Sequence, residues 1–472
     1  RISGLEAELP FLKLRLINGA EWNVDGRDRV YLGLEVENLG EAARWGASLL
    51  DLSIENADGG KFSISLKASR NRRKANALDV AASIGFSPLD LVPYAALLPP
   101  RGNLRRLRGR LGGSADVSFA PDRGVRWKAD FSGKGLEAQF RTGRGEGWRA
   151  LKLATAGFRS EGRYDLPRGA AEVASLEVDL PFATVRLPKK AFWNRRGKDD
   201  AELAVKITDL GPAAEVASAL SGFSINKGDF NKGDKLDLNI ALSRDRRKKQ
   251  ELSVSGSAAL DPIQVGPFAA FVPASAGVKD IRGVVGGKVV FLFKQGETVS
   301  WKANLTGSAI SGRVDTNSDG KWGSLKLKSF ELGSEGRYNL LRDSARVSRL
   351  DAKFPFGTLG LAKEARWNSS GRDEIALAWQ LSDLEAAVRL GAALEVDALR
   401  SVSPLGASKG EVRLLRDRRK SETFSVTGSA GVNLKRIHLA EYPNLEAAGE
   451  ARVNMSEKTL AVSVPPLTVR ER

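Results

Sequence analysis

The sequence predicts a mainly β protein: an elongated, tandem-repeat antiparallel sheet that is curled into a groove, with short helices interspersed. Two observations carry this prediction. One is a repeat with a constant spacing, and the other is period-two alternation of apolar and polar residues through most of that repeat.

Short strings that recur at one spacing define the repeat. VRWKADFSG begins at Val125, and the related VSWKANLTG begins 174 residues later, at Val299. SEGRY recurs at the same spacing, from Ser160 and from Ser334. Matches of this length at a single offset predict a duplicated unit. The predicted units are a partial copy at 1–124 and full copies at 125–298 and 299–472.

Apolar side chains are expected on one side of each predicted strand, of which we count on the order of ten per unit. DKLDLNIALS, VVFLFKQ and DEIALAWQLS alternate apolar residues with polar or small ones, which is typical of antiparallel strands with one wet face. An apolar face must be buried against something, and a trough that holds an apolar ligand is one solution. The predicted lining residues of this trough are Leu236, Leu238, Ile240, Leu242, Val289, Phe291, Phe293, Ile375, Leu377, Trp379 and Leu381.

Two short helical segments are expected in each unit. The first follows an Asn-Leu or Asp-Leu pair at Asn38, Asp209 and Asp383. The second is an apolar stretch bounded by prolines, which begins at Ser87 and again at Asp261. Such short helices are too few to cover a sheet of this size.

Composition excludes several classes of function. The chain has no cysteine, so disulfides and thiolate chemistry are excluded, and its single histidine, His438, has no acid or nucleophile near it in sequence. The string from Asp315 to Gly320 resembles half of a calcium loop, but Lys326 stands where the loop needs a glutamate. We therefore expect no enzyme activity, no cofactor and no metal.

The net charge of +17 favours anionic partners, but basic and acidic residues are mixed along the chain, so nucleic acid is not expected. Basic strings recur near Ser69, Ser243 and Arg416 without interleaved aromatic residues. We expect them to form charged turns or protected sheet edges, with binding of anionic head groups as the alternative. The recurring tryptophans, at 22, 193 and 367, are expected to anchor the core of each repeat.

The order of elements is strands, a short helix led by Asp-Leu, further strands, a proline-bounded apolar segment and a Gly-Gly strand such as IRGVVGGKVVFLF from Ile281. This order resembles the AsmA-like proteins of the Gram-negative cell envelope, of the TamB and YhdP type, over essentially all 472 residues. The resemblance implies a long curled sheet in the periplasm, anchored to the inner membrane through a segment outside this chain. It also implies a non-enzymatic bridge that carries phospholipid between the inner and outer membranes. The implied partners are phospholipid acyl chains, and membrane proteins at the ends of a longer chain.

Two other functions remain open on the residues alone. The same sheet could be a structural or assembly platform for outer-membrane proteins, which a dry, filled core would favour. It could also be a β-repeat surface adhesin, although adhesin repeats are usually acidic and rich in calcium loops. An open apolar trough would favour the lipid bridge.

Overall fold

The computed structural model of the chain describes residues 1–23, 26–48, 60–73, 77–93, 104–141, 148–221, 233–247, 251–267, 278–315, 322–393, 402–420, 425–439, 442–455, 460–463 and 468–471. These residues form 26 strands and three helices. All described strand pairs are antiparallel. The predicted mainly β, antiparallel architecture with short interspersed helices is confirmed.

The chain divides into two compact units, of which the first comprises Arg1–Ser224 and Asn239–Leu252. Its strands are β1 Glu6–Leu9, β2 Leu12–Glu21, β3 Arg27–Val36, β4 Phe62–Asn71, β5 Ala77–Asp90, β6 Leu104–Ala120, β7 Gly124–Phe140, β8 Arg149–Asp165, β9 Ala170–Leu180, β10 Ala183–Arg186, β11 Ala191–Asn194 and β12 Lys198–Ile207. Its helices are α1 Leu39–Ser48 and α2 Leu210–Ser221.

The second unit comprises Ile225–Leu238 and Ser253–Arg472, so that strand β13 (Leu236–Asp245) is divided between the two units. The strands that follow are β14 Glu251–Gln264, β15 Val278–Lys294, β16 Thr298–Val314, β17 Gly323–Asn339, β18 Ser344–Phe354, β19 Gly357–Leu361, β20 Ala365–Asn368, β21 Arg372–Leu381, β22 Val402–Asp417, β23 Ser425–Leu439, β24 Tyr442–Met455, β25 Leu460–Ser463 and β26 Thr468–Glu471. Its helix is α3 Leu384–Ala393.

The secondary structure repeats at the spacing of the sequence strings. Strand β7 begins at Gly124 and β16 at Thr298, and both contain 17 residues. Strand β8 begins at Arg149 and β17 at Gly323, again with 17 residues each. The strands of one copy therefore recur 174 residues later. The division at 124/125 and 298/299 stays a sequence prediction.

Strands that follow one another in sequence pair with one another. From β3 to β9 each strand is hydrogen-bonded to the next. The two short strands β10 and β11 both pair with β9 on one side and with β12 on the other. They therefore occupy one strand position, interrupted at residues 187–190.

Each helix begins where the sequence predicts it. The side chain of Asn38 accepts a hydrogen bond from Glu41 N at 3.2 Å, and that of Asp383 accepts one from Ala386 N at 3.0 Å. A side-chain oxygen in this position satisfies a backbone N–H group that the first helical turn leaves without a partner. The first predicted helical segment of each copy is confirmed.

The second predicted helical segment is wrong in its described part. Ser87–Asp90 belong to strand β5 and Asp261–Gln264 to strand β14, while residues 94–103 and 268–277 lie outside the described residues. Both strands have an irregular register at this point, which is where a sheet tolerates proline. A Cβ atom at Gly112 would lie 3.0 Å from Pro88 N, so the recurring Gly-Gly pair makes room for the proline.

Candidate functional site

In the first unit, residues directly opposite each other on neighbouring strands form three apolar rows. Opposite residues in an antiparallel pair share one face of the sheet. The first row is Val36, Phe62, Phe86, Gly113, Phe131, Phe158, Val178, Val185 and Val205. The second row is Leu34, Ile64, Ile84, Ala115, Ala129, Ser160 and Leu176. The third row is Leu32, Leu66, Ala82, Val117, Trp127, Gly162 and Val173.

These rows form one continuous apolar face that remains partly open to solvent. The rings of Phe86 and Phe131 stack with centroids 5.9 Å apart, and those of Phe131 and Phe158 with centroids 6.4 Å apart. Phe158 is nevertheless 38% exposed and Val117 is 41% exposed. The face is therefore connected from strand to strand without being closed like a core.

The second unit has the same kind of face, and seven predicted trough residues lie on it. Phe291 is opposite Trp301, which is opposite Gly336, and Phe293 is opposite Val299. Further along the unit, three more cross-strand pairs extend the face. These are Leu359 with Trp379, Leu361 with Leu377, and Ile375 with Leu414. Among the described residues, Val289, Phe291, Phe293, Ile375, Leu377, Trp379 and Leu381 are all half-buried.

The other four predicted trough residues lie on β13, whose cross-strand register lies outside the described pairings. Leu236, Leu238 and Ile240 are half-buried, whereas the intervening Asp237 and Asn239 are exposed, as the alternation predicts. Leu242 is 39% exposed and marks the end of the apolar stretch.

A tryptophan lies over a glycine of the neighbouring strand at three places on the apolar face. In the second unit, a Cβ atom at Gly336 would lie 2.5 Å from Cζ2 of Trp301, so only glycine leaves room for the ring. The indole N–H of Trp301 donates to Ser334 Oγ at 3.1 Å. The same arrangement joins Trp127 to Ser160 and Gly162, and Trp379 to Ser408 and Gly410. The recurring SEG string therefore has a structural role.

At one edge of the face, a buried aspartate holds two arginines. Asp373 has no exposed side-chain surface and pairs with Arg416 at 2.7 Å and with Arg418 at 3.2 Å. It also accepts a hydrogen bond from Asn368 N at 2.8 Å. The guanidinium of Arg418 lies 5.7 Å from the ring centroid of Trp367, within the range of a cation–π contact.

The same cluster recurs twice in the first unit. Asp28 pairs with Arg72 at 2.9 Å beneath Trp22, and Asp199 pairs with Arg246 at 2.8 Å beneath Trp193. The middle arginine of each basic string is therefore part of an ion pair. The expectation that the tryptophans anchor a core is wrong for Trp22, which is 70% exposed, and for Trp193, which is 40% exposed, whereas Trp367 is half-buried. They cover arginines at the sheet edge instead.

The ion pairs at this edge shift the acid–base equilibrium of the carboxylates. Burial by itself would raise the pKa of Asp373, but the N–H group of Asn368 and the two guanidinium groups outweigh it, so the pKa is lowered. The pKa of Asp28 is lowered chiefly by its hydrogen bond from Asn23 N, with a smaller contribution from Arg72. Both carboxylates are therefore charged at neutral pH, which suits a structural role.

Sequence reasoning missed a dense group of cations at the opposite edge of the first unit, where β6 begins and β7 ends. Residues 104–110, 134–141 and 148–152 contain eight lysines and arginines and a single acid, Glu137. The guanidinium groups of Arg105 and Arg141 lie 3.9 Å and 5.4 Å from the ring centroid of Trp148. The string LRRLRGR shows this positive charge in the sequence itself. The sequence prediction considered only the basic strings that recur elsewhere in the chain.

The opposite, polar face carries open depressions lined by paired charges. One, of about 800 Å³, is lined by Lys128, Arg163, Glu172 and Lys190 among others. Glu172 accepts hydrogen bonds from Lys190 at 2.8 Å and from Arg163 at 2.6 Å, which lower its pKa. Arg163 and Lys190 are therefore both held by the one carboxylate of Glu172 and are not free to bind a ligand.

Other predicted features have limited structural context. Residues 316–320 of the calcium-like string lie outside the described residues, and the side chain of His438 is also undescribed, although its backbone belongs to β23. Within the described residues, no group of three or more metal-ligating side chains comes together. None of the described helices combines the length and the apolar character needed to cross a membrane.

Comparison with known proteins adds no relative. No family model matches the chain, and no curated protein matches it.

Proposed function

We propose that this protein is a non-enzymatic lipid carrier whose apolar sheet face holds the acyl chains of phospholipids. The observation that carries the proposal is the set of apolar rows that cross from strand to strand in each unit and stay half-exposed. A lipid chain that moves along such a face exchanges one apolar contact for an equivalent one at each strand.

The size of the face supports an apolar ligand. Eight steps from β3 to β12 at about 4.8 Å each, and three rows at two-residue spacing, give a patch of roughly 40 Å by 15 Å. Its area of about 600 Å² is at the upper end of what soluble monomers expose, and larger patches usually mark binding sites. Acyl chains match such a patch because they bring apolar surface without hydrogen-bonding groups that would need partners.

The family resemblance extends the proposal to a place in the cell. The proposed location is the periplasm of a Gram-negative bacterium, where the carrier bridges the inner and outer membranes. Nucleic acid is not a proposed partner, since the middle arginines of the basic strings are held in ion pairs with Asp28, Asp199 and Asp373.

Photo-crosslinking at neighbouring positions of β15 tests the proposal. Phe291 lies on the apolar face, whereas Val290 lies on the opposite face and is 39% exposed. A crosslinking amino acid at position 291 should capture phospholipid in cells, and one at position 290 should not. Leu377 and Ala378 form a second matched pair on β21, on opposite faces in the same way. Equal capture at both members of each pair would contradict a face-specific lipid path.

Charge substitutions separate a lipid path from a packed core. Phe291→Asp should abolish lipid capture at position 377 while the chain remains folded, because a carboxylate on a half-exposed face keeps part of its hydration. Val290→Asp, with the same charge on the other face, should leave capture unchanged. If Phe291→Asp instead unfolds the protein and no position captures lipid, the face is packed against protein and the assembly-platform function is favoured.

A further inference from the structure

The cation cluster at the beginning of β6 differs between the two copies of the repeat. In the first copy, eight lysines and arginines face one acid. The equivalent residues, 278–284, 308–315 and 322–326, contain four lysines and arginines and two aspartates. Asp280 stands in place of Arg106, and Asp315 in place of Arg141. The fold therefore tolerates a net charge of +2 here, against +7 in the first copy, so structure alone does not require the excess charge of the first copy.

Several cations of the first-copy cluster have no carboxylate partner. Arg105 and Arg108 are exposed, and neither of them forms an ion pair within the described part of the chain. Nε of Arg141 is buried without a hydrogen-bond partner, and the cluster's one acid, Glu137, is paired with Lys152 at 3.0 Å. In the second copy Asp280 pairs with Arg313 instead. Unpaired guanidinium groups held together in this way favour a ligand with a concentrated negative charge, of which phosphate is the best geometric match.

Arg105, Arg108 and Lys152 lie on the same side of the sheet as the apolar rows. Arg105 is opposite Gln139, and Arg108 and Lys152 are both opposite Glu137, which shares the face of Phe131. Arg110 and Lys134 are opposite each other on the other face. Lys152 and Phe158 are both on β8 and are separated by an even number of residues, so their side chains point to the same face. The distance between them along the strand is about 20 Å. One lipid molecule, taken as half of a bilayer that measures about 40 Å with its head groups, has the same length.

We propose that this cluster is a phosphate site that holds the head group of an anionic lipid while the acyl chains lie on the adjoining apolar face. The proposal rests on the proposed lipid-carrying function and adds selectivity to it: a head group with net negative charge is preferred over a zwitterionic one. The first copy of the repeat binds anionic head groups in preference to zwitterionic ones. The second copy, whose cluster has the lower net charge, does not discriminate between them.

Calorimetric titration of the full chain with short-chain lipids tests this proposal. The probes are dihexanoyl phosphatidic acid, dihexanoyl phosphatidylcholine and glycerol phosphate, which share a phosphate but differ in net charge or in acyl chains. The variant Arg105→Gln/Arg108→Gln should weaken binding of phosphatidic acid by about tenfold or more, since it removes two charge-assisted contacts. The matched control Lys279→Gln/Arg282→Gln, 174 residues away, should leave it within about twofold.

Other outcomes overturn the proposal in distinguishable ways. Equal losses in both variants mean that only the overall charge matters. Equal affinity of the unmodified chain for phosphatidic acid and phosphatidylcholine excludes head-group selection. Equal affinity for glycerol phosphate and phosphatidic acid excludes a lipid in favour of a free phosphate. If Arg105→Gln lowers the thermal unfolding temperature, Arg108→Gln alone replaces the double variant, with Arg282→Gln as its control, because the Arg108 side chain is exposed and lies on the face of the apolar rows. Lipid capture at Phe291 is measured separately, so the carrier function can stand when head-group selection fails.

Discussion

Replacing Asp373 by asparagine should strongly destabilise the second unit. The substitution keeps the size of the side chain and the oxygen that accepts the hydrogen bond from Asn368 N, but it removes the charge between Arg416 and Arg418. Breaking a buried ion pair typically costs 3–5 kcal/mol, because the partner charge stays behind in a desolvated place. The arginine side chains are 15% and 22% exposed and can regain some hydration. We therefore expect a loss of about 3 kcal/mol, at the lower end of that range.

Urea denaturation followed by tryptophan fluorescence and circular dichroism measures this loss. The matched control is Asp351→Asn, in the same unit, because the carboxylate of Asp351 pairs with Arg349 but is 52% exposed. An exposed pair of this kind contributes about 1 kcal/mol or less. If Asp373→Asn costs no more than the control, then the buried cluster at the sheet edge does not stabilise the fold and our reasoning is wrong.

Three further predictions concern the same unit. Gly336→Ala should lower the free energy of unfolding by about 1–3 kcal/mol, because its Cβ atom would overlap the ring of Trp301. The control Gly431→Ala should be nearly neutral, because the atom nearest to its Cβ would be 3.8 Å away. Trp301→Phe and Ser334→Ala should each cost about 1 kcal/mol or more through the lost hydrogen bond, and a double-mutant cycle should show that the two losses are not additive. The stability difference between the wild type and Asp373→Asn should be full above about pH 4, the unfolded-state pKa of aspartate, and should shrink as the pH falls through the lowered pKa of the folded state. A difference that stays constant down to acid unfolding would contradict the last prediction.

Much of the fold could be predicted from local sequence. Period-two alternation fixes which side of a strand is apolar, so the faces that contain Phe291 and Leu377 followed from the sequence alone. The helix starts at Asn38 and Asp383 were equally predictable, because a side-chain cap depends on residues only three positions apart.

The features that the sequence left hidden depend on long-range pairing. The sequence around Pro88 predicts a helical segment, because no residue near it in the chain shows that Gly112 lies across from it and leaves room for the proline in the strand. The link between Asp373 and Arg418 spans 45 residues, so the basic string looked like an isolated charged turn. The sequence shows which strings recur at one spacing. It does not show which residues these strings contact, because those contacts depend on the register of the sheet.

The interrupted strand made of β10 and β11 has a consequence for how such repeats can change in length. One repeat leads from β3 to β12 in eight steps between neighbouring strand positions, counting β10 and β11 as one position, and each step reverses the direction of the chain. Because eight is even, β3 and β12 run the same way, so α1 and α2 leave the sheet at one edge while the clusters of Asp28 and Asp199 lie at the other. Gain or loss of a single strand would reverse the direction of every later strand. The helices and aspartate clusters of the later repeats would then lie at the opposite edges. Insertions and deletions of whole strands should therefore be tolerated in pairs, as hairpins, and not singly.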